Sequence, residues 1–154
     1  MSVAPVISKV SVKAKPARAF ELFFNHMTEW WRTCDGEKPF VAMVLEPRAG
    51  GRWYERDAEG KESEWGRVLA YEPPYRLLLG WGFDATFKYN PDVLTEVELT
   101  FMANASGGTD VLLEHRNLER FGSEAAKVAA GVGGGWTRQM QAFAAHVDQR
   151  TDQQ

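Results

Sequence analysis

Near the C-terminus, Val128, Val132, Trp136, Met140, Phe143 and Val147 recur at intervals of four, four, four, three and four, the spacing that gathers side chains on one face of an α-helix. A helix with one apolar stripe draws most of its stability from whatever covers that stripe. The rest of the chain must therefore provide the cover. From about residue 39 to 117 it reads as short strands separated by turn chemistry: Arg48-Ala49-Gly50-Gly51, Asp57-Ala58-Glu59-Gly60, Glu72-Pro73-Pro74, Asn90-Pro91-Asp92, and Asn104 to Gly108. Strands at this spacing predict an antiparallel meander of about six, on which the helix buries its stripe.

The helical pattern predicts one helix from about 123 to 149, with Ser123 as N-cap and Glu124 in the first turn. Its phase runs without a slip through Gly131, Gly133, Gly134 and Gly135. Each helical glycine costs about 1 kcal/mol relative to alanine, so a chain that keeps four of them needs close approach there. The alternative is a real break near 131–135. At the other end, Val6, Ser8, Val10 and Val12 alternate with Ile7, Lys9, Ser11 and Lys13, a half-buried strand. Pro16 then suits the first turn of a helix, and Ala19, Phe20, Phe23, Phe24 and Met27 follow at helical spacing towards Trp30 and Trp31, giving one or two short helices. Within the meander, Val93, Val97, Leu99 and Phe101 oppose Glu96, Glu98 and Thr100, while Val111, Leu113 and His115 oppose Asp110, Leu112 and Glu114. The first group of each pair is expected to face inward. Leu77, Leu79, Trp81 and Phe83 form a similar stripe. The expected architecture is an α+β fold, in one domain spanning residues 1–154.

Composition excludes several classes of function. With 18 Lys and Arg against 21 Asp and Glu and no basic run, the chain has no track for a nucleic acid backbone. A single cysteine, Cys34, rules out an intramolecular disulfide and a multi-thiolate metal site and fits a reducing compartment. The N-terminus alternates in polarity where a signal peptide would be continuously apolar. No segment approaches the ~20 apolar residues of a membrane span. A cytoplasmic location without membrane insertion is expected. His26, His115 and His146 share no ligand-like spacing, so no metal is expected. The stretch GVGGGW, Gly131 to Trp136, fails as a phosphate cradle: Trp136 stands where GxGxxG needs its last glycine, and no strand precedes it. No cofactor is expected.

Six tryptophans, Trp30, Trp31, Trp53, Trp65, Trp81 and Trp136, imply a dense core, a pocket wall, or both. Together with the thinned helix they point to a cavity between helix and sheet beside Trp136. Trp81, Phe101, Leu113, Trp136 and Met140 are the expected walls. His115, on an inward face, is the expected polar anchor of a ligand and the one candidate for an acid or base, although a buried histidine bonded to backbone or water fits the same position.

Three segments carry a family resemblance: EPRAGGRWYERDAEGKESEWGRVLAYEPPYRLLLGW at 46–81, TEVELTFMANASGGTDVLLEHRNLERFG at 95–122, and GGGW opening the last stripe. Their order resembles the domain named for the activator of heat-shock-protein ATPase, a branch of the START-related, birch-pollen-allergen-like (SRPBCC) superfamily. The resemblance implies the helix-grip fold, in which a curved antiparallel sheet wraps a long C-terminal helix, two short helices close one end, and a hydrophobic cavity lies between. It implies binding of a small hydrophobic or amphipathic molecule. It also leaves open a cyclase-like or hydrolytic enzyme, with His115 as acid or base and Tyr54, Arg116 or another nearby polar group assisting. A third reading, a chaperone-interaction module, would need a docking surface and a further domain that this length does not lead one to expect. A homodimer stays open. Related sequences carry a Gly-Trp pair that Gly135-Trp136 matches; Gly131, Gly133 and Gly134 go beyond it and imply a larger pocket or a more bendable helix.

Overall fold

Alternating burial along β1, Val6–Val12, sets its even-numbered side chains inward and leaves Ile7, Lys9 and Ser11 outside. The chain continues through α1 (Pro16–Asn25), α2 (Met27–Trp30), β2 (Ala42–Leu45), β3 (Arg52–Arg56), β4 (Glu62–Glu72), β5 (Arg76–Trp81), β6 (Thr95–Ala103), β7 (Thr109–Arg116), a 3₁₀ segment (Leu118–Glu124) and α3 (Ala125–Asp152). This computed structural model describes residues 3–32 and 41–152, so Cys34 lies outside the described residues. All pairings are antiparallel in one curved sheet of order β1-β7-β6-β5-β4-β3-β2. The first strand thus returns beside the last, and the meander accounts for the six others.

Two register shifts, at Trp53/Tyr54 and at Val68/Ala70, fall on β3 and β4, where an extra residue bends a strand and increases its twist. Close approach of backbones completes the bend: a Cβ on Gly66 would lie 1.7 Å from the carbonyl oxygen of Gly80 on β5. Only a residue without one fits.

The inner face of the sheet is covered from two directions. Ala19, Phe20, Leu22, Phe23 and Phe24 of α1 are buried, as are Trp136, Met140, Phe143 and Val147 of α3. Phe23 meets both sides edge-on, with its ring centre 5.9 Å from Phe101 of β6 and 5.2 Å from Phe143. Trp30 closes the group 5.2 Å from Phe143 and donates its indole N–H to the Leu22 carbonyl at 3.0 Å.

The helix passes unbroken through residues 131–135, so the break considered above does not occur. Its boundaries differ from expectation. It begins at Ala125, because Gly122 adopts φ 73° and interrupts the chain before Ser123 can cap a regular turn. Two inward stripes also end differently: β5 stops at Trp81, with Phe83 only bridging to Tyr89, and Val93 precedes β6. Thr95 takes the inward place between Val93 and Val97 and is fully buried. Among the described residues no helix is long and apolar enough to cross a membrane.

Candidate functional site

An open cavity of about 280 Å³ lies where the glycine face of α3 meets the end of the sheet. Its walls come from distant parts of the chain: Trp31 and Arg32 following α2, Trp65 of β4, Trp81 of β5, Phe87 of the β5–β6 loop, and one face of α3. Gly131, Gly135, Arg138 and Gln139 follow one another on that face at intervals of four, three and one, with Val132 and Trp136 beside them. A Cβ added to Gly131 or Gly135 would meet nothing within 4 Å. The glycines leave space that no other described side chain fills.

The aromatic walls are held from behind. Trp31 stands edge-on to Trp53, Trp65 and Trp136, with centres 5.9, 5.4 and 5.7 Å away, and Trp81 lies 5.7 Å from Trp136. Such edge-to-face contacts match the positive edge of one ring to the negative face of the next. Trp65 donates to Glu55 Oε1 at 2.8 Å. The Arg32 backbone N–H donates to Gln139 Oε1 at 2.9 Å, and Gln139 Nε2 donates back to the Arg32 carbonyl, so a two-bond clamp ties the Trp31 wall to α3.

Phe87 forms the outer edge and is 58% exposed. Its backbone sits at φ 64°, a conformation that non-glycine residues seldom adopt. The loop is fixed by Asp84, whose Oδ1 accepts from Thr86 N at 2.9 Å, Lys88 N at 3.1 Å and Thr86 Oγ1 at 2.7 Å. Phe87 stacks on Phe83, with centres 4.9 Å apart and planes at 15°.

His115 lies one layer deeper and does not border the cavity. Trp136 Nε1 donates to its Nδ1 at 3.1 Å, and its Nε2 is 2.7 Å from Thr95 Oγ1. Since Nδ1 accepts, the neutral ring carries its proton on Nε2 and donates it to the Thr95 hydroxyl. Burial disfavours the imidazolium and brings the pKa down to about 3. At neutral pH the ring is uncharged, and both nitrogens are occupied.

Of the residues expected to contact a ligand, Trp81 and Trp136 border the cavity; Phe101, Leu113, His115 and Met140 are wholly buried in the packed interior around it. Neither Arg116 nor Tyr54, two assisting groups of the enzyme reading, borders the cavity. Arg116 turns to the outer face, bonding Glu96 at 3.0 Å and Glu98 at 3.1 Å, and the Tyr54 ring lies 4.0 Å beneath the Arg52 guanidinium. Arg32, Phe87, Arg138 and Gln139 were not singled out from sequence. For Arg138 and Gln139 a signal existed, their helical spacing from Gly131 and Gly135. Among the described residues no group of three His, Cys, Asp or Glu is placed to hold a metal.

Residues 13–148 match the family described as Activator of Hsp90 ATPase homolog 1-like protein. The chain belongs to that family. Among solved structures similar to this family member is an anthrahydroquino-gamma-pyrone synthase, Txn09, complexed with SUM, at 34% identity over 94% of this chain and 97% of that one, with a TM-score of 0.67. Another is CalC, a self-sacrificing resistance protein from Micromonospora echinospora, at 31% identity over 96% of both chains, TM-score 0.72. MLL2253 from Mesorhizobium loti shares the fold at 19% identity, covering 94% of this chain and 97% of that one, TM-score 0.70. No curated protein matches the chain.

Proposed function

We propose that this member of the Hsp90-ATPase-activator homolog family binds a small, largely aromatic molecule in the cavity beside Gly131 and Gly135. One observation carries the reading: four tryptophans and a phenylalanine surround open space that the helix leaves free by omitting side chains. An apolar cavity of roughly 150 Å³ accepts a benzene ring, so about 280 Å³ accommodates about two fused rings. His115 acts through Trp136, fixing one wall by its hydrogen bond. The similarity to Txn09, a synthase of a polycyclic pyrone by its name, supports a flat aromatic ligand.

Titration of tryptophan fluorescence with naphthalene-sized compounds tests this. Saturable quenching is expected, and Gly135→Leu, which fills the cavity, should abolish it while the fold stays intact by circular dichroism. Unchanged quenching in Gly135→Leu would place binding elsewhere.

The resemblance to a named synthase also favours a second reading, a cyclase-like reaction in the same cavity. It requires His115 to release a hydrogen bond before acting on a substrate. Incubation with polyketide-type substrates, followed by mass spectrometry, should then yield a product that His115→Gln no longer forms; identical turnover by the variant would remove His115 from the chemistry.

A further inference from the structure

We propose that the ligand carries an anionic group, a carboxylate or phenolate on its aromatic nucleus, held at the mouth of the cavity by Arg138 and Arg32. This rests on the pocket reading above and adds the charge of the occupant. Most arginines elsewhere in the described residues are neutralised: Arg52 pairs with Glu62, Arg76 with Glu98, and Arg116 with Glu96, whereas Arg56 and Arg120, away from the cavity, have no carboxylate partner. The two at the cavity are not neutralised either. Arg138 has no hydrogen bond or ion pair among the described residues, and Arg32 uses Nη1 on the carbonyls of Glu29 and Trp31, both at 3.2 Å. No ion pair occupies the rest of its guanidinium among the described residues.

Among the described residues no carboxylate borders the cavity, and Glu55 behind it accepts the Trp65 N–H. The indole N–H groups of Trp31 and Trp81 also lack a protein acceptor among the described residues, in contrast to those of Trp30, Trp65 and Trp136. The free polar groups that the described residues place around the opening are therefore donors. A ring of aromatic faces by itself also suits a cation, but two arginines at the same opening, without an ion pair among the described residues, oppose one and pair geometrically with a carboxylate. The whole chain has a net charge of −3, so a preference for anions here is local.

The experiment compares 2-naphthoate, its neutral amide 2-naphthamide, and (2-naphthyl)trimethylammonium by fluorescence titration of the full chain at pH 7.5, in low and high salt. The expected result is naphthoate binding at least tenfold tighter than the amide, the ammonium weakest, and the anion's advantage shrinking with salt. Arg138→Gln and Arg32→Gln should each remove most of that advantage, weakening naphthoate far more than the amide, with retained amide binding and an unchanged circular dichroism spectrum showing that the variants keep the pocket. Equal binding of acid and amide would overturn the anionic assignment and leave the aromatic pocket standing. Tightest binding of the ammonium would overturn it in the opposite direction, and binding of none of the three would overturn both.

Discussion

His115 is the residue whose environment has the clearest thermodynamic consequence. Its folded pKa near 3 lies below the ordinary value of 6.5, so in the unfolded chain the ring takes up a proton below about pH 6.5 that the folded ring refuses. Stability should fall as pH drops through this window, by about 1.4 kcal/mol per pH unit until the folded ring itself titrates. Glu98 works in a lower window: the hydrogen bond from Arg76 lowers its pKa, so its contribution is present above the ordinary carboxylate value and lost beneath it. Urea unfolding at pH 7.0 to 5.0 lies above the carboxylate window, and His146, whose pKa burial also lowers, contributes alike to the native chain and to a variant at His115. The slope of stability with pH should be markedly flatter in His115→Gln than in the native chain, and equal slopes would show that the ring is charged or solvated when folded. Trp136→Phe leaves Nδ1 without its donor and should cost about 1–3 kcal/mol, read in the same unfolding series.

At the scale of elements, α3 separates two reasons for keeping a glycine. A Cβ at Gly134 meets nothing, and Gly134 is exposed and outside the cavity wall. Gly134→Ala should therefore stabilise the protein by about 1 kcal/mol with no change in ligand affinity. Gly135→Ala should stabilise by a similar amount and weaken binding, since its methyl enters the cavity; paired thermal and fluorescence titrations distinguish them. Gln139→Ala removes both bonds of the clamp to Arg32, costing about 1–3 kcal/mol and loosening the Trp31 wall. Most of this helix was legible from sequence, because burial of one face imposes a period that glycines do not disturb. The walls were less so. Arg32 and Arg138 are residue types that default to solvent, and Phe87 sits in a loop whose shape depends on Asp84. Thr95 interrupts an apolar alternation, and its place makes sense only once His115, diagonal to it on β7, is known to need a partner.

For the molecule as a whole, the sheet's curvature decides whether there is a site at all. Gly66→Ala would press a methyl into the Gly80 carbonyl, and the strands must separate to admit it. The expected outcome is a loss of several kcal/mol, on the scale of overpacked cores, seen as a large fall in Tm or as insoluble protein; native-like stability would mean that β4 and β5 can slide apart without cost. The same curvature brings all six tryptophans into one connected set, each ring centre within 6 Å of another. Excitation absorbed by any indole can pass along that set faster than it is emitted. The protein should therefore glow as one emitter, and a quencher seated against Trp31 or Trp136 should darken Trp30 as well, although Trp30 never touches it.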